Sequence, residues 1–360
     1  MIATRTQLVA EQPAPVSLAV KDFHSGIAGA WDRWLLSRAG STPFHATAWM
    51  RALEKTFGYE PRSLYAERNG KITGVLPLFL VSNWIVGRCL MSTPFADYGG
   101  VCAEDEESAD SLIERAKEIA SSEQVDFLEL RHRSCKPHRD FLPKSLYVGF
   151  TCGLGPDPEA ILKQFPRDTR YMIRKGQKAG LELRSGFHEQ LGSFYQLFAT
   201  SWRRFGTPVF AKKWLETLGE EFHDHMDLKL AYHNGRPVAG VLSLFFGDTL
   251  FPHYAGASED ANRLAANNFI YWELMKDAVS RGVIRFDFGR SKRGTGAYQF
   301  KSSWNMQVDT LAYQTFLVRR KDAPNFSPTN PKFELATRLW SRMPLQATTW
   351  IGPKVVRWFP

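Results

Sequence analysis

The 360-residue sequence is poor in cysteine and has no long apolar run. Its cysteines, Cys89, Cys102, Cys135 and Cys152, form no CxxC pair, which favours reduced thiols in a cytoplasmic protein. Residues 1–25 show no periodicity and lack the apolar core of a signal peptide. No uninterrupted apolar stretch approaches the length that spans a membrane. We therefore expect a cytoplasmic protein with a loose arm at residues 1–25.

The signatures of common hydrolases, nucleotide-binding proteins and metalloproteases are also missing. The sequence contains no GxSxG elbow, P-loop, HExxH motif or Rossmann fingerprint. His132, Cys135 and His138 have a spacing that metal ligands use, but lysines and arginines surround them, and positive charge opposes a dication. We therefore predict a basic structural loop at 131–139 and no metal.

Two copies of nearly the same phrase stand about half the chain apart, NGKITGVLPLF at 69–79 and NGRPVAGVLSLF at 234–245. Asn-Gly tolerates the positive φ angles of a tight hairpin turn, and apolar, β-prone residues follow it in both copies. The patterns around the copies repeat as well, in the order helix, strand, strand, strand, helix, strand. This long period indicates a duplicated domain and not a solenoid.

The composition fits two moderate cores, since 44% of the residues are hydrophobic. We predict an α/β (α+β) protein with an N-terminal domain at 26–150, a C-terminal domain at 151–320 and a basic, aromatic tail at 321–360. Aromatics that alternate with cations suit an anionic membrane surface, so peripheral contact with a membrane is one expectation for the tail. A tail that docks on its own protein is the other.

The formal charge of +9 indicates acidic partners, such as phosphates, nucleic acid or an anionic membrane. Four cations of the second half would share one face of a helix: Arg167, Arg170, Arg174 and Lys178. Only Asp168 interrupts them, and a stripe without counter-ions suits a polyanion. We predict that Arg170, Arg174 and Lys175 hold phosphates of the substrate; the alternative is a solvated helix face.

A second candidate site is the helix start in ASEDANRLAANNFIYWELMKDAVSRG. The free N–H groups of a helix N-terminus suit a phosphate or a developing oxyanion. Acetyltransferases of the GNAT type use an Arg/Gln-x-x-Gly-x-Gly/Ala turn here, and this chain has Arg263-Leu-Ala-Ala266-Asn-Asn268 instead. Arg263, Asn267 and Asn268 are the predicted contacts of an acyl donor. An ordinary capped core helix is the alternative.

The third candidate, FDFGRSKRGTGAYQFKSSW at 286–304, is the most specific. Glycines flanked by cations can cradle an anion, and the alternative is a basic surface hairpin. The predicted substrate contacts of this loop are Arg290, Ser291, Lys292, Gly294, Gly296 and Tyr298. If the residues after the loop are extended, Lys301 points away from Phe300 and into a cleft. Lys301 would then stabilise an oxyanion, and Asp287 would orient the loop or an amine.

Several of these segments resemble the FemAB (FemABX) proteins: DTRYMIRKGQKAGLELR, NGRPVAGVLSLFF and FDFGRSKRGTGAYQFKSSWNMQ. They are more closely similar to the branch of BioF2-like acetyltransferases associated with exopolysaccharide and exosortase (PEP-CTERM) gene clusters. STPFHATAWMRALEKTFG, GVLPLFL and STPFADYGG fit the same branch, so the resemblance covers roughly residues 40–320. It implies two tandem GNAT-like domains, each a mixed sheet flanked by helices with one hairpin at its centre.

The resemblance also implies an N-acyltransferase or aminoacyltransferase that uses acyl-CoA or aminoacyl-tRNA as donor. The expected acceptor is an amine on an anionic small molecule or on a lipid-linked sugar or peptide precursor of the cell envelope or of an exopolysaccharide. Direct attack by the amine requires positioning, removal of a proton and stabilisation of the oxyanion. The alternative is a catalytically inactive GNAT-like module that binds a polysaccharide precursor or an assembly partner.

Overall fold

The computed structural model describes residues 17–136, 138–322 and 331–360, and the side chains of all of these except 331–333. The predicted loose arm at 1–25 therefore falls mostly outside the described residues. Elements before Tyr147 form the first half of the molecule. They are β1 (Leu18–Asp22), α1 (Ala28–Leu36), α2 (Thr47–Phe57), β2 (Glu60–Pro61), β3 (Leu64–Arg68), β4 (Lys71–Leu76), β5 (Phe79–Asn83), β6 (Gly87–Met91), β7 (Cys102–Ala103), α3 (Glu106–Ser122), β8 (Phe127–His132) and β9 (Leu142–Lys144).

The second half begins with a strand at Tyr147, and two helices follow it as a tail. The elements of the second half are β10 (Tyr147–Gly153), α4 (Pro158–Gln164), α5 (Arg167–Lys178), β11 (Glu182–Ser185), α6 (Phe187–Arg204), α7 (Lys212–Phe222), β12 (Met226–His233), β13 (Arg236–Phe246), β14 (Thr249–Ala257), α8 (Ala266–Ser280), β15 (Arg285–Lys292), α9 (Gly296–Ser302), β16 (Gln307–Thr310) and β17 (Ala312–Leu317). The tail consists of α10 (Pro331–Arg342) and α11 (Leu345–Val356). No helix in the described ranges is both long and apolar enough to cross a bilayer.

The duplicated unit predicted from the two Asn-Gly phrases is present. Asn69, Gly70, Asn234 and Gly235 all have positive φ and form the turns of the β3–β4 and β12–β13 hairpins. Each unit then continues through an antiparallel strand to one parallel pair, β6 with β8 and β14 with β15. The predicted architecture, two tandem units with mixed sheets and flanking helices, is confirmed. The β12–β13 hairpin lies within a mixed sheet as predicted, but the β3–β4 hairpin lies in a separate antiparallel sheet, because β4 pairs with β7 and not with β5.

The sheets of the two halves are interlaced near the predicted domain boundaries. In the described chain the first half has a sheet in the order β1-β3-β4-β7 and a second in the order β2-β5-β6-β8-β17-β9. The second half has one in the order β11-β12-β13-β14-β15-β10-β16. Strand β10 spans the junction at 150–151, and β17 returns from the second half to lie between β8 and β9.

One aromatic core joins the two halves. Helices α2 and α7, which occupy equivalent positions in the two units, pack against each other. Trp49 of α2 and Trp214 of α7 are fully buried, with ring centroids 5.4 Å apart in an edge-to-face arrangement. Fully buried aromatic side chains contribute strongly to stability, and edge-to-face geometry adds to that contribution. The two halves are thus parts of one packed body.

Helix α6 packs closely on β14 at Gly256. A Cβ atom at Gly256 would lie 2.4 Å from the backbone nitrogen of Phe198 in α6. We expect Gly256→Ala to lower the free energy of unfolding by about 1–3 kcal/mol, because backbone atoms would have to move apart. Gly153→Ala is the matched control, since nothing lies within 4 Å of a Cβ at that strand glycine. Urea unfolding measures both; equal stability of the two variants would contradict the close packing.

Candidate functional site

The candidate site lies where β14 and β15 separate. These parallel strands are paired only at their beginnings, Thr249 with Arg285 and Leu250 with Phe286. Beyond that point β15 remains paired with β10 as far as Lys292. The loop 92–100 of the first half reaches β15 at this opening. The site residues are Asp97, Tyr98, Arg133, His253, Asp287, Arg290 and Lys301.

Asp287 links the two halves at the centre of this site. Its carboxylate, 1% exposed, accepts hydrogen bonds on Oδ2 from the hydroxyl of Tyr98 and the guanidinium of Arg133. Oδ1 accepts the backbone N–H of Gly289 at 2.8 Å. Burial raises the pKa of Asp287, against the Arg133 charge and the Tyr98 hydrogen bond, which lower it. These contacts are those of a residue that orients the loop, one of the two roles predicted for it.

Gly289 and Arg290 hold Asp97 of the first half. Gly289 has a φ of +69°, and a Cβ there would lie 2.2 Å from the Asp97 carboxylate, so this position requires glycine. Arg290 donates its backbone N–H to Asp97 at 3.2 Å and its Nη1 to the Tyr313 hydroxyl at 2.8 Å. Its guanidinium also lies 4.7 Å from the ring centroid of Tyr147. Arg290, a predicted substrate contact, is thus engaged by the protein itself.

Lys301 reaches the site from a helix. Its Nζ donates to the carbonyl oxygens of Phe288 at 2.6 Å and Arg290 at 2.9 Å. Burial lowers the pKa of Lys301 to about 8, against the charges of Asp97 and Asp287, which raise it. An ammonium has three donors, so these two carbonyls leave one for a ligand.

The extended conformation predicted around Lys301 is wrong. Gly296–Ser302 forms α9, because the Thr295 hydroxyl accepts the backbone N–H of Tyr298 at 3.3 Å and caps the helix. Lys301 comes to the cleft because its long side chain folds back onto β15. Replacing Lys301 with methionine would remove the donors of two carbonyls, so we expect a moderate loss of stability from this change.

His253 of β14 is a site residue that the sequence analysis missed. Its ring lies 5.0 Å from Phe44 and 5.3 Å from Trp49 of the first half, measured between centroids. Burial lowers the pKa of His253 to about 4, so the ring is neutral at pH 7. The charge of Asp97 raises this pKa, and the charges of Arg290 and Lys301 lower it. Its Nε2 is buried without a hydrogen-bond partner among the described residues. Such an atom is available to a substrate.

The remaining members of the predicted glycine loop do not form one cradle. Ser291 is buried, and its Oγ lacks a partner among the described residues. Lys292 ends β15, Gly294 lies in the following turn with a φ of +78°, and Gly296 begins α9. The ring of Tyr298 packs edge-on against Phe150. The loop is shorter than predicted because a strand and a capped helix take up most of it.

The predicted cationic stripe lies on α5. Its buried residues Thr169, Ile173 and Gly176 face inward, and a Cβ at Gly176 would lie 2.9 Å from the carbonyl oxygen of Ala265. The stripe and Lys175 are exposed, apart from a half-buried Arg170. None of these cations forms an ion pair or side-chain hydrogen bond within the described ranges. The structure thus places unpaired positive charge beside the start of α8.

The start of α8 has the features of a phosphate site. No side chain caps it, and Ala265 at its N-cap adopts a left-handed conformation with a φ of 52°. The N–H groups of the first turn have no partner within the helix. Arg263 is exposed and paired with Asp260 at 3.2 Å, Asn267 is half-buried and Asn268 is buried. The uncapped turn packs next to α5, and the free N–H groups of a helix N-terminus can bind an anion.

The predicted basic loop at 131–139 is only partly a loop. Arg131 lies in β8, is 6% exposed and pairs with Glu129 at 2.8 Å, because the strand continues through His132. Ligand atoms of Glu114, His138 and Asp140 lie within 4.8 Å of one another. The ammonium of Lys117 bonds both of these carboxylates, and it already supplies positive charge to the cluster.

Comparison with known proteins agrees with this fold. Residues 163–302, which include α5, the start of α8 and Lys301, match the acetyltransferase (GNAT) domain family. A crystal structure of FemX is 14% identical, with a TM-score of 0.66 over 88% of this chain and 100% of that chain. A tandem GNAT protein from the clavulanic acid biosynthesis pathway is 12% identical, with a TM-score of 0.52 over 85% of this chain and 100% of that chain.

A further similar structure is the C-terminal domain (DUF2156) of a putative lysylphosphatidylglycerol synthetase from Agrobacterium fabrum. It is 12% identical, with a TM-score of 0.55 over 82% of this chain and 92% of that chain. At such identities the likeness shows the fold, which is two tandem GNAT-like units. No curated protein sequence matches this chain significantly.

Asp287→Asn tests the link between the halves. The neutral amide would leave Arg133 without its counter-ion, so we expect the free energy of unfolding to fall by about 3 kcal/mol. Tyr98→Phe removes one hydrogen bond and should cost about 1 kcal/mol. Asp224→Asn, at an exposed acid, is the matched control and should have little effect. Guanidinium unfolding gives these values; a loss below 1 kcal/mol for Asp287→Asn would contradict the link.

Proposed function

We propose that this chain, with a GNAT domain at residues 163–302, is an N-acyltransferase or aminoacyltransferase that passes an acyl group directly from an activated donor to an amine. The observation that carries the proposal is the half-buried Lys301, whose ammonium is held by two backbone carbonyls at the opening between β14 and β15. A donor fixed in this way requires no reorganisation when negative charge develops on a reacting carbonyl.

The proposed reaction needs no covalent intermediate on the protein. The amine nitrogen bonds to the acyl carbon, the bond from that carbon to the donor's sulfur or oxygen breaks, and the proton that the amine loses passes to the departing thiolate or alkoxide, which leaves as the free thiol or hydroxyl. The third N–H of Lys301 stabilises the oxyanion that forms on the acyl oxygen. Since the pKa of Lys301 is about 8, the lysine is charged at neutral pH and can serve in this way.

His253 is the proposed partner of the attacking amine. Its neutral ring can accept a hydrogen bond at the unpartnered Nε2 and so direct the nitrogen lone pair toward the acyl carbon. Asp287 is a positioning residue in this proposal. It holds the loop 92–100 and the bulge of β15 at Gly289, and through that bulge the two carbonyls that anchor Lys301.

The proposed donor is an acyl-CoA, which brings the activated carbonyl when it binds. The uncapped first turn of α8, with Asn267 and Asn268, would hold the pyrophosphate, and Arg263 would exchange Asp260 for it. Aminoacyl-tRNA is the second candidate donor. The unpaired cations of α5 support it, because an RNA backbone could follow the stripe.

The proposed acceptor is an amine on an anionic precursor of the cell envelope or of an exopolysaccharide, handled in the cytoplasm or at the inner membrane face. Arg170, Arg174 and Lys175 would bind its phosphates, which their lack of counter-ions supports. This proposal includes an association with exosortase (PEP-CTERM) gene clusters, whose products would make the acceptor. An inactive module that binds a precursor or an assembly partner is less favoured, since binding alone would not require a half-buried lysine with a lowered pKa.

The donor and acceptor can be found with a crossed panel. Acetyl-CoA, longer acyl-CoAs and charged tRNAs are each incubated with amino sugars, their nucleotide-linked forms and lipid-linked peptides, and products are identified by mass spectrometry. Transfer from one donor class to one acceptor class supports the proposal. Donor binding without transfer to any amine would favour the inactive module.

Lys301→Met tests the catalytic assignment. We expect kcat to fall about a hundredfold, which is typical when one oxyanion contact is lost. In the wild type the rate should fall as pH rises through about 8, because the ammonium is then lost. The methionine variant should lack this alkaline limb. Initial rates from pH 6 to 10 measure both effects.

The control for Lys301 is Thr295→Ala, which removes the N-cap of α9 at a cost of about 1 kcal/mol and keeps the ammonium. This variant should retain most of the rate and the limb near pH 8. If the methionine and alanine variants lose equal activity, Lys301 only supports the structure of α9.

Replacing Arg170 and Arg174 with glutamine tests the cationic stripe. We expect binding of a sugar nucleotide such as UDP-N-acetylglucosamine to weaken at least tenfold and to depend less on salt, because fewer ion contacts form. Lys212→Gln with Lys213→Gln removes the same charge from α7 and should leave binding unchanged. Calorimetric titrations at several salt concentrations decide. An unchanged affinity and salt slope would make the stripe a solvated face.

A further inference from the structure

The tail docks on both halves of the protein and still presents outward faces. The hydroxyl of Tyr59 donates to the Arg357 carbonyl at 2.8 Å, and Arg131 donates to the Pro360 carbonyl at 2.9 Å. Arg203 of α6 donates to the Met343 carbonyl at 3.2 Å. The prediction that the tail docks on its own protein is therefore confirmed. These contacts hold the tail in one orientation, so its exposed side chains form a defined surface.

Both tail helices expose apolar and cationic residues. The exposed residues of α11 are Gln346, Trp350 and Lys354, which recur every four positions, and the exposed Arg357 follows the helix. The exposed residues of α10 with described side chains are Glu334, Leu335, Ala336, Arg338, Leu339 and Arg342, and Glu334 is paired with Arg338 at 2.6 Å. Residues 331–360 contain five cations and one acid, Glu334. Helical faces of this composition suit an anionic interface.

A cavity of about 420 Å³ opens between α11 and the first half. The cations Arg88, Lys354 and Arg357 line it, together with the amide of Asn83. Asn83 Nδ2 is buried and has no partner among the described residues. The acid in the lining, Glu60, is paired with Arg62 at 3.0 Å, which lies outside the lining.

Arg88 is itself paired with Glu123, so Lys354 and Arg357 are the cations of the lining without an acidic partner in the described chain. With Asn83 Nδ2 they make a lining that suits a phosphate group.

Two exposed tryptophans contact residues that line this cavity. Trp84 is 75% exposed and Trp350 is 69% exposed, and no other tryptophan in the described ranges is as accessible. The Trp84 ring lies 5.1 Å from that of Trp358, which lines the cavity, and the Lys354 ammonium lies 4.2 Å from the centroid of Trp350. Tryptophan is enriched at the headgroup level of membranes, where its apolar ring and polar N–H are both satisfied. Each of the two exposed rings is thus one contact away from the basic cavity.

We define the tail face as the cavity together with Trp84 and the exposed residues of α10 and α11. We propose that the tail face docks on an anionic phospholipid bilayer, with a headgroup phosphate in the cavity and Trp84 and Trp350 in the headgroup layer. A dissolved anion would use the cations alone, whereas a bilayer also accounts for the exposed tryptophans and for Leu335 and Leu339 on α10. The proposal goes beyond the acyl transfer proposed above and does not depend on it.

Vesicle co-sedimentation of the full chain tests this proposal. We expect binding to vesicles with 30 mol% phosphatidylglycerol that weakens with salt, and much weaker binding to pure phosphatidylcholine. Lys354→Gln should weaken binding about fivefold. Trp84→Ser with Trp350→Ser should weaken it at least tenfold, since two interfacial anchors are lost.

Leu36→Ser with Leu142→Ser is the matched control, because both leucines are exposed and outside the tail face. Circular dichroism confirms that each variant is folded. Equal binding by the tryptophan and leucine pairs would overturn the proposal, as would failure to bind anionic vesicles. Thermal stabilisation by inorganic phosphate or glycerol phosphate without vesicle binding would show a site for a dissolved anion and would also overturn it.

Discussion

A buried carboxylate is the constraint on which the site depends. Asp287 is enclosed at the junction of the two halves, where an unmatched charge would be costly. Its donors come from the first half, through Tyr98 and Arg133, and from Gly289 at a bulge in the pairing of β15 with β10. The carbonyls of Phe288 and Arg290 flank Gly289 in the sequence, and both accept from Lys301. A stretch of four residues, 287–290, therefore joins the halves, contains the bulge and anchors the lysine.

The duplication explains why this junction can hold a site. Each unit ends in a parallel pair of strands, which is three residues long in the first unit and two residues long in the second. The loop that follows β6 in the first unit, residues 92–100, leaves its own sheet and contacts β15 of the second. The left-handed conformations of Thr93 and Phe95 turn this loop toward the second half. One copy of the unit thus supplies the opening, and the other completes its wall.

Local patterns predicted the fold well and the site only in part. The two Asn-Gly turns and the apolar periodicity are local signals, and they indicated the duplicated unit. The segment of Lys301 and Asp287 was singled out because its composition is unusual, but the conformation predicted around Lys301 was wrong, since the cap by Thr295 was not recognised. Asp97, Tyr98 and His253 were missed because each joins the site through contacts between the halves, which no local pattern encodes. The phrase STPFADYGG, with its aspartate and glycines after a strand, was the available signal.

In the proposed reaction, the Lys301 ammonium contacts the reacting carbonyl. A crystal structure with a donor analogue in which a methylene group replaces the thioester sulfur would show this contact, because the carbonyl persists in the analogue. We expect the carbonyl oxygen to lie about 3 Å from Lys301 Nζ, with the hydrogen bonds to Phe288 and Arg290 retained. A carbonyl bound elsewhere, with Lys301 contacting only its own protein, would show that the lysine has no part in the reaction.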